Sequence, residues 1–213
     1  MLVTLATRTF TPEPTAAALR LGALARALAV GGDTVRVLTS RLAPSVARDA
    51  RETGETQAPE DASAHAGEGP GLVEVRRAPV LRDRTGAVRG YVSYMSFDLP
   101  LLARLLGGPR PDVVVCEPPP TTGVAVRLAC ALRRVPYVYY CADIVSDAAA
   151  LAGVPGLVVR TVAGLESFAL RGARRVIAVS DGVARRAREL GARDVAVVPN
   201  GVRVPEAVAT GVP

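Results

Sequence analysis

Short runs of apolar, mostly β-branched residues alternate along the chain with longer segments in which apolar residues recur at helical spacing. The apolar runs predict strands at residues 2–6, 34–39, 73–77, 112–116, 136–141, 175–179 and 195–198. The helical segments cover residues 15–30, 92–106, 122–134, 156–170 and 180–190. Regular alternation of strands and helices is typical of an α/β fold.

The predicted strands are apolar without a polar residue at every second position, which indicates a parallel sheet covered by helices on both faces. We therefore predict one doubly wound, Rossmann-like domain of about seven strands over residues 1–202. Residues 203–213 are predicted to begin a linker or tail.

Residues 44–71 interrupt this pattern, because Ala, Gly, Glu, Asp and Arg dominate there and large apolar residues almost vanish. We expect a mobile surface loop with little regular structure, apart from a short helix near residues 45–51. The only histidine, His65, lies in this segment, and we expect it to be solvated and without a catalytic role.

The net charge and the low aromatic content indicate which classes of ligand the protein could bind. The net charge is +6 and every one of the 26 basic residues is arginine, which fits either a solvated surface or attraction to anionic lipid or phosphate. Aromatic residues make up 4%, with no Trp, which disfavours stacking on single-stranded nucleic acid, so we expect no nucleic-acid partner.

Three cysteines without paired spacing indicate free thiols in a reducing compartment. The sequence shows no signal peptide and no apolar run long enough to span a membrane. We therefore expect a cytoplasmic protein.

Ligands of doubly wound sheets bind beyond the carboxyl ends of the strands, so candidate residues are sought there. The loop after the first strand, residues 7–15, contains no glycine, which disfavours a dinucleotide site, and no Walker sequence is present. The single histidine lies in the predicted loop, so a Ser-His-Asp mechanism would lack its general base. No group of His, Cys, Asp and Glu residues has the spacing of metal ligands.

Carboxylates follow two of the central strands. Glu117 follows one strand, and Asp143 follows the next, with Asp147 one helical turn later. Carboxylates at these positions can accept hydrogen bonds from sugar hydroxyls or remove a proton from one. The alternative for each is a structural role, in which it caps a helix or orders a loop.

Four segments, taken in order, resemble family 4 glycosyltransferases: "FTPEPTAAALRLGALARALAVGGDTVRVLTS", "RPDVVVCEPPPTTGVAV", "VPYVYYCADIVSDAA" and "ARRVIAVSDGVARRARELGARDVAVVPNGV". Members of that family have the GT-B fold, in which two Rossmann-like domains face a cleft. The resemblance implies the acceptor-side N-terminal domain of a retaining enzyme that needs no metal or other cofactor and uses a nucleotide-sugar as co-substrate.

The resemblance also implies site residues. Asp143 is the expected catalytic residue, and the expected substrate-binding residues are Thr9, Phe10, Glu13, Thr15, Glu117, Asp147, Ser180, Asn200 and Gly201. Phe10 is expected to be partly exposed on the cleft wall. Two positions depart from the family pattern: Thr15 and Ala16 replace glycines near the donor phosphates, and Ala142 replaces a basic residue.

In that family, the Pro-Asn-Gly-Val segment at residues 199–202 leads into the second domain. The sequence does not contain that donor-binding domain, so we expect the chain alone to be inactive and to need a second domain or a partner chain. The expected acceptor is a sugar or a lipid-linked sugar, with peripheral contact at the inner face of the membrane. A non-catalytic sugar- or anion-binding module with the same fold remains the alternative.

Overall fold

A central sheet of eight strands organises the computed structural model, which describes residues 1–52, 61–65, 71–83 and 90–201. The strands are β1 (Leu2–Ala6), β2 (Thr34–Ser40), β3 (Asp61–His65), β4 (Leu72–Ala78), β5 (Val113–Cys116), β6 (Tyr137–Cys141), β7 (Arg175–Ala178) and β8 (Val195–Val197). The helices are α1 (Ala16–Val30), α2 (Pro44–Glu52), α3 (Tyr91–Gly107), α4 (Pro120–Arg133), α5 (Val145–Leu151), α6 (Gly156–Gly172) and α7 (Asp181–Glu189).

The strand order is β3-β4-β2-β1-β5-β6-β7-β8, and every neighbouring pair is parallel except β3 with β4. The seven parallel strands confirm the predicted doubly wound sheet. The chain moves outward from β1 through β2 to β4, then returns to β5 on the other side of β1. The order therefore reverses between β1 and β5, which defines the topological switch point of the sheet.

The short helix predicted near residues 45–51 is present as α2. The expectation of little other regular structure in residues 44–71 does not hold for the strand β3, which pairs antiparallel with the outer side of β4. The small residues of β3 give no strand pattern in the sequence, but backbone hydrogen bonds to an open sheet edge do not require one. Residues 53–60 and 66–70 lie outside the described residues, as does the predicted linker at 203–213.

Two apolar clusters cover the faces of the sheet. One packs α1 against β1 and β2 and includes Leu5 and Leu21; the other packs α3, α4, α6 and α7 against the opposite face around Tyr139 and Phe97. Gly123 allows α4 to approach the sheet, because an added Cβ would lie 2.7 Å from the Tyr139 ring. The two covered faces are why the strand sequences are apolar throughout.

The three cysteines are free and buried within the sheet and its helices. Among the described helices, none has the length and apolar character needed to cross a membrane.

Candidate functional site

The candidate site begins where β1 and β5 lie side by side. Thr7 follows β1 and Glu117 follows β5, and the Thr7 hydroxyl donates a 3.0 Å hydrogen bond to Glu117 Oε1. The crossovers from these strands leave toward opposite sides of the sheet, which leaves their carboxyl ends open to form a crevice. The sequence prediction for Glu117 therefore falls at the switch point.

Glu117 is nearly fully buried, and its second carboxylate oxygen, Oε2, has no hydrogen-bond partner among the described residues. Burial raises the pKa of Glu117 to about 7, because removal from water penalises the charged form more than Thr7, Arg20 and Arg8 favour it. The nearby charge of Asp143 raises this pKa further. Glu117 can therefore take up or release a proton near neutral pH.

Arg8 is a second charged group at this point. It could not be selected from the sequence, because it is one of 26 arginines. Its guanidinium lies 4.1 Å from the centroid of the Tyr94 ring, a cation–π contact with α3. Its Nη1 is buried without a hydrogen-bond partner in the described part of the chain. Burial lowers the pKa of Arg8, opposed by Tyr94 and by the charges of Asp98 and Glu117.

Asp98 brings a further buried carboxylate to the site, and sequence reasoning also missed it. It lies on α3 and accepts a 2.6 Å hydrogen bond from the Thr122 hydroxyl in the first turn of α4. Burial raises its pKa, while Thr121, Thr122 and Arg8 act in the other direction. Its position in an otherwise apolar helical stretch was the available signal, since a carboxylate on a buried helix face needs a polar partner.

The loop of residues 7–15 differs from its prediction. Phe10 is only 3% exposed and packs in the apolar cluster with Leu21 of α1, so the expected partial exposure on a cleft wall is wrong. The loop folds back on itself, because the Phe10 backbone N–H donates to Glu13 Oε2 at 3.1 Å and the Glu13 N–H donates to the Phe10 carbonyl. This places the aromatic ring toward the core.

The other predicted residues of this loop use their polar atoms within the structure. Glu13 is buried and contacts Arg82 at 3.3 Å, and burial raises its pKa against the effect of that arginine. Thr15 caps α1 by accepting from the Ala18 N–H, and its hydroxyl donates to that of Thr9. Thr9, Glu13 and Thr15 therefore hold the loop in place.

Asp143 follows β6 and is exposed. No described residue donates a hydrogen bond to its carboxylate. The backbone after it is ordered instead by Glu166 of α6, which accepts from the Val145 N–H at 2.9 Å and from the Ser146 N–H at 3.2 Å. Glu166 thus performs the loop-ordering role that was the alternative for Asp143.

Asp147 is engaged in an ion pair. Both of its oxygens accept from Arg186 of α7, at 2.9 Å from Nε to Oδ2 and at 3.0 Å from Nη2 to Oδ1. The pair is partly exposed and joins α5 to α7. In this structure the partner of the Asp147 carboxylate is therefore Arg186.

The remaining predicted residues lie at the ends of β7 and β8. The Ser180 hydroxyl caps α7 by accepting from the Val183 N–H at 3.3 Å. Asn200 Oδ1 accepts a 3.2 Å hydrogen bond from the Tyr140 hydroxyl on β6, and Gly201 is exposed beside it. The structure thus gathers Glu117 and Asp143 with Arg8 and Asp98. Phe10 packs in the apolar cluster, and the side chains of Thr9, Glu13, Thr15, Asp147 and Ser180 bond to other groups of the protein.

The fold is similar to half of several solved GT-B glycosyltransferases. HepE from Anabaena, in complex with UDP and glucose, has a TM-score of 0.53 at 18% identity over 94% of this chain and 44% of that chain. Sucrose-phosphate synthase from Thermosynechococcus elongatus has a TM-score of 0.60 at 13% identity, over 94% and 48%. UGT89C1 from Arabidopsis thaliana, complexed with UDP-L-rhamnose, has a TM-score of 0.57 at 12% identity, over 97% and 53%.

These likenesses define the class of fold, a Rossmann-like α/β domain that matches one half of a GT-B glycosyltransferase. The family follows from the sequence: residues 15–201 match the model of the glycosyl transferase 4-like domain, and the chain belongs to that family. Comparison with curated protein sequences yields no match. The chain spans about half the length of these three solved structures.

Proposed function

We propose that the chain is the acceptor-binding half of a retaining, metal-independent glycosyltransferase that moves a sugar from a nucleotide-sugar to a saccharide or lipid-linked acceptor. The observation that carries this proposal is the match of residues 15–201 to the glycosyl transferase 4-like family. A nucleotide-sugar as co-substrate is supported by the similar structures of HepE in complex with UDP-glucose and UGT89C1 in complex with UDP-L-rhamnose.

A second domain, on the same chain or on a partner, completes the proposed site. The chain covers only 44% to 53% of the first similar structures, and its candidate residues line one edge of one sheet. A reaction between two substrates needs both of them held in a fixed relative position. We therefore expect residues 1–213 alone to transfer no sugar and to bind nucleotide-sugars weakly.

Asp143 is the proposed catalytic residue. Its carboxylate is exposed at the end of β6, free of hydrogen bonds from the described residues, and close enough to Glu117 to raise the pKa of that group. The carboxylate can accept a hydrogen bond from the acceptor hydroxyl, orient its oxygen toward the sugar, and take up its proton late in transfer. Glu117 remains the adjacent group that exchanges a proton near neutral pH.

The test measures transfer from UDP- and GDP-sugars by the chain alone and by the chain assembled with a donor-binding domain. Asp143→Asn keeps the size and one oxygen but loses the charge, so turnover of the assembled enzyme is expected to fall at least ~100-fold with an unchanged melting temperature. Asp33→Asn, before β2 at the opposite edge of the sheet, is the control for turnover, measured per folded molecule because this change also removes the ion pair of Asp33 with the N-terminal amine.

Two outcomes would contradict the proposal. Turnover or micromolar nucleotide-sugar binding by the chain alone would place the donor site within these residues. Turnover retained per folded molecule in Asp143→Asn would remove Asp143 from the site.

The second candidate function is a non-catalytic sugar- or anion-binding module. This candidate is favoured because the chain covers only about half of the three similar solved structures. A single Rossmann-like half holds only one wall of a two-domain site. Acceptor binding without transfer, even when a donor-binding domain is supplied, would support the module over the enzyme.

Peripheral contact with the inner, cytoplasmic face of the membrane is also proposed. It is supported by the corner between α5 and α6, where Leu151 is 90% and Leu157 is 77% exposed, and by exposed Arg185 and Arg188 on α7. Exposed apolar side chains and exposed arginines both favour an anionic lipid surface. Retention on anionic vesicles that is insensitive to Leu151→Glu would contradict this contact.

A further inference from the structure

A wide cleft lies at the edge of the sheet opposite to the candidate site. Its volume is about 710 Å³, and it is formed where the chain enters β6, β7 and β8, below the ends of α4 and α6. We call it the arginine cleft and define it by Arg127, Arg171, Arg174, Arg193 and Asp194. None of these residues belongs to the proposed transferase site, which lies at the carboxyl ends of the strands.

The charges in the arginine cleft are unbalanced. Four arginines line it, and its one carboxylate, Asp194, pairs with Arg175 at 2.9 Å rather than with any of the four. No carboxylate of the described residues forms an ion pair with Arg127, Arg171, Arg174 or Arg193. The carbonyl ends of α4 and α6 supply only about half a negative charge each, so a positive potential remains.

The backbone positions two of these arginines along the cleft walls. At Gly172 an added Cβ would lie 2.6 Å from Arg127 Cδ, and at Gly191, which has a φ of +104°, it would lie 2.7 Å from Arg171 Cγ. The Arg127 guanidinium also lies 3.9 Å from the centroid of the Phe168 ring. Glycine lets both arginine stems lie against the main chain, so these side chains lose less conformational freedom when a ligand binds. Arg127 also donates from Nη1 to the Phe168 carbonyl. The cleft arginines whose side chains have no hydrogen-bond partner among the described residues are therefore Arg171, Arg174 and Arg193.

We propose that the arginine cleft binds a ligand that carries two or more phosphate groups. Guanidinium groups bind phosphate oxygens through paired, charge-assisted hydrogen bonds, and several separated guanidinium groups match several phosphates. The volume of the cleft exceeds that of a single phosphate. The ligand class is shared by soluble diphosphate compounds and by lipid headgroups, and the experiment separates these two sources.

Calorimetry of the full chain with inorganic pyrophosphate at low salt tests the cleft directly. We expect one saturable site, and the triple variant Arg171→Gln, Arg174→Gln and Arg193→Gln is expected to bind at least ~10-fold more weakly, as for the loss of several charge-assisted hydrogen bonds. The matched control removes the same charge elsewhere, through Arg26→Gln, Arg48→Gln and Arg160→Gln, which are exposed positions outside the cleft. Its affinity should equal that of the unmodified chain.

A single variant, Arg193→Gln, repeats the test if the triple variant fails to fold. Equal weakening in the cleft and control variants would overturn the proposal, since it would reflect net charge alone. Absence of saturable heat with pyrophosphate, together with absence of retention on cardiolipin vesicles, would also overturn it.

Vesicles distinguish the two sources of phosphate. A lipid headgroup in the cleft is supported if the chain is retained on cardiolipin vesicles but not on phosphatidylcholine vesicles. That retention should be lost in Arg193→Gln and kept in the control variant. Pyrophosphate binding that depends on the cleft arginines, without such retention, supports a soluble ligand.

Discussion

The loops after β1 and after β6 follow similar buried strands, yet they present their side chains differently. In the loop after β1, Phe10 and Glu13 turn inward and hold the backbone. After β6, Asp143 stays exposed because Glu166 orders the backbone from a neighbouring helix. The topology of the sheet decides where a strand ends. Whether the side chains of the following loop remain available to a ligand depends on whether the loop is ordered by its own side chains or by those of another element.

The largest expected effect tests whether the loop after β1 is part of the core. Phe10→Ala should lower the free energy of unfolding by about 3–5 kcal/mol, the usual cost of removing a buried aromatic ring. Urea unfolding measures this change. Leu19→Ala, an exposed position on α1, is the control and should change stability by less than about 0.5 kcal/mol. A small effect at Phe10 would restore the exposed, cleft-lining role predicted from the sequence.

The second prediction concerns Glu117, the buried carboxyl beside Asp143. Its folded pKa of about 7 lies above its ordinary value of 4.5, so the native state keeps a proton that the unfolded chain releases between these pH values. Its contribution to stability is therefore fully present below pH 4.5 and is lost as the pH rises to about 7.

The side chain in the Glu117→Gln variant cannot ionise, so the variant should not lose stability between pH 4.5 and pH 7. Relative to the unmodified chain, the variant should gain up to about 3 kcal/mol between pH 4.5 and pH 7, following the size of the pKa difference. Urea unfolding at pH 4, 5.5, 7 and 8 measures the gain, with Glu189→Gln at an exposed position as control. A difference that does not change with pH would show that Glu117 is better solvated than the structure indicates.

The parts of the molecule that follow from local pattern could be predicted from the sequence. The apolar runs predicted the parallel strands, and the strand ends placed Glu117 and Asp143 at one edge of the sheet. Burial of Phe10 could not be predicted, because a proline-rich loop gives no periodicity and the ring's partner, Leu21, becomes its neighbour only after α1 packs on the sheet.

Contacts between distant segments account for the other differences. Glu166 lies in a helix with an otherwise ordinary pattern, and its role depends on a loop 20 residues earlier in the chain. Arg8 is one of 26 arginines, so its residue type alone carries no signal. Its significance comes from the Tyr94 ring and the buried carboxyls that packing brings to it.

The smallest expected effect tests the assignment of Asp147 to structure rather than to substrate. A double-mutant cycle with Asp147→Asn and Arg186→Gln should give a coupling free energy of about 0.5–1 kcal/mol, because the pair is bidentate but roughly 40% exposed to solvent. In the assembled enzyme, both single variants should keep normal turnover, since the pair only joins α5 to α7. If Asp147→Asn lowers turnover while Arg186→Gln does not, Asp147 contacts the acceptor. The segment after β6 would then present two carboxylates to the ligand instead of one.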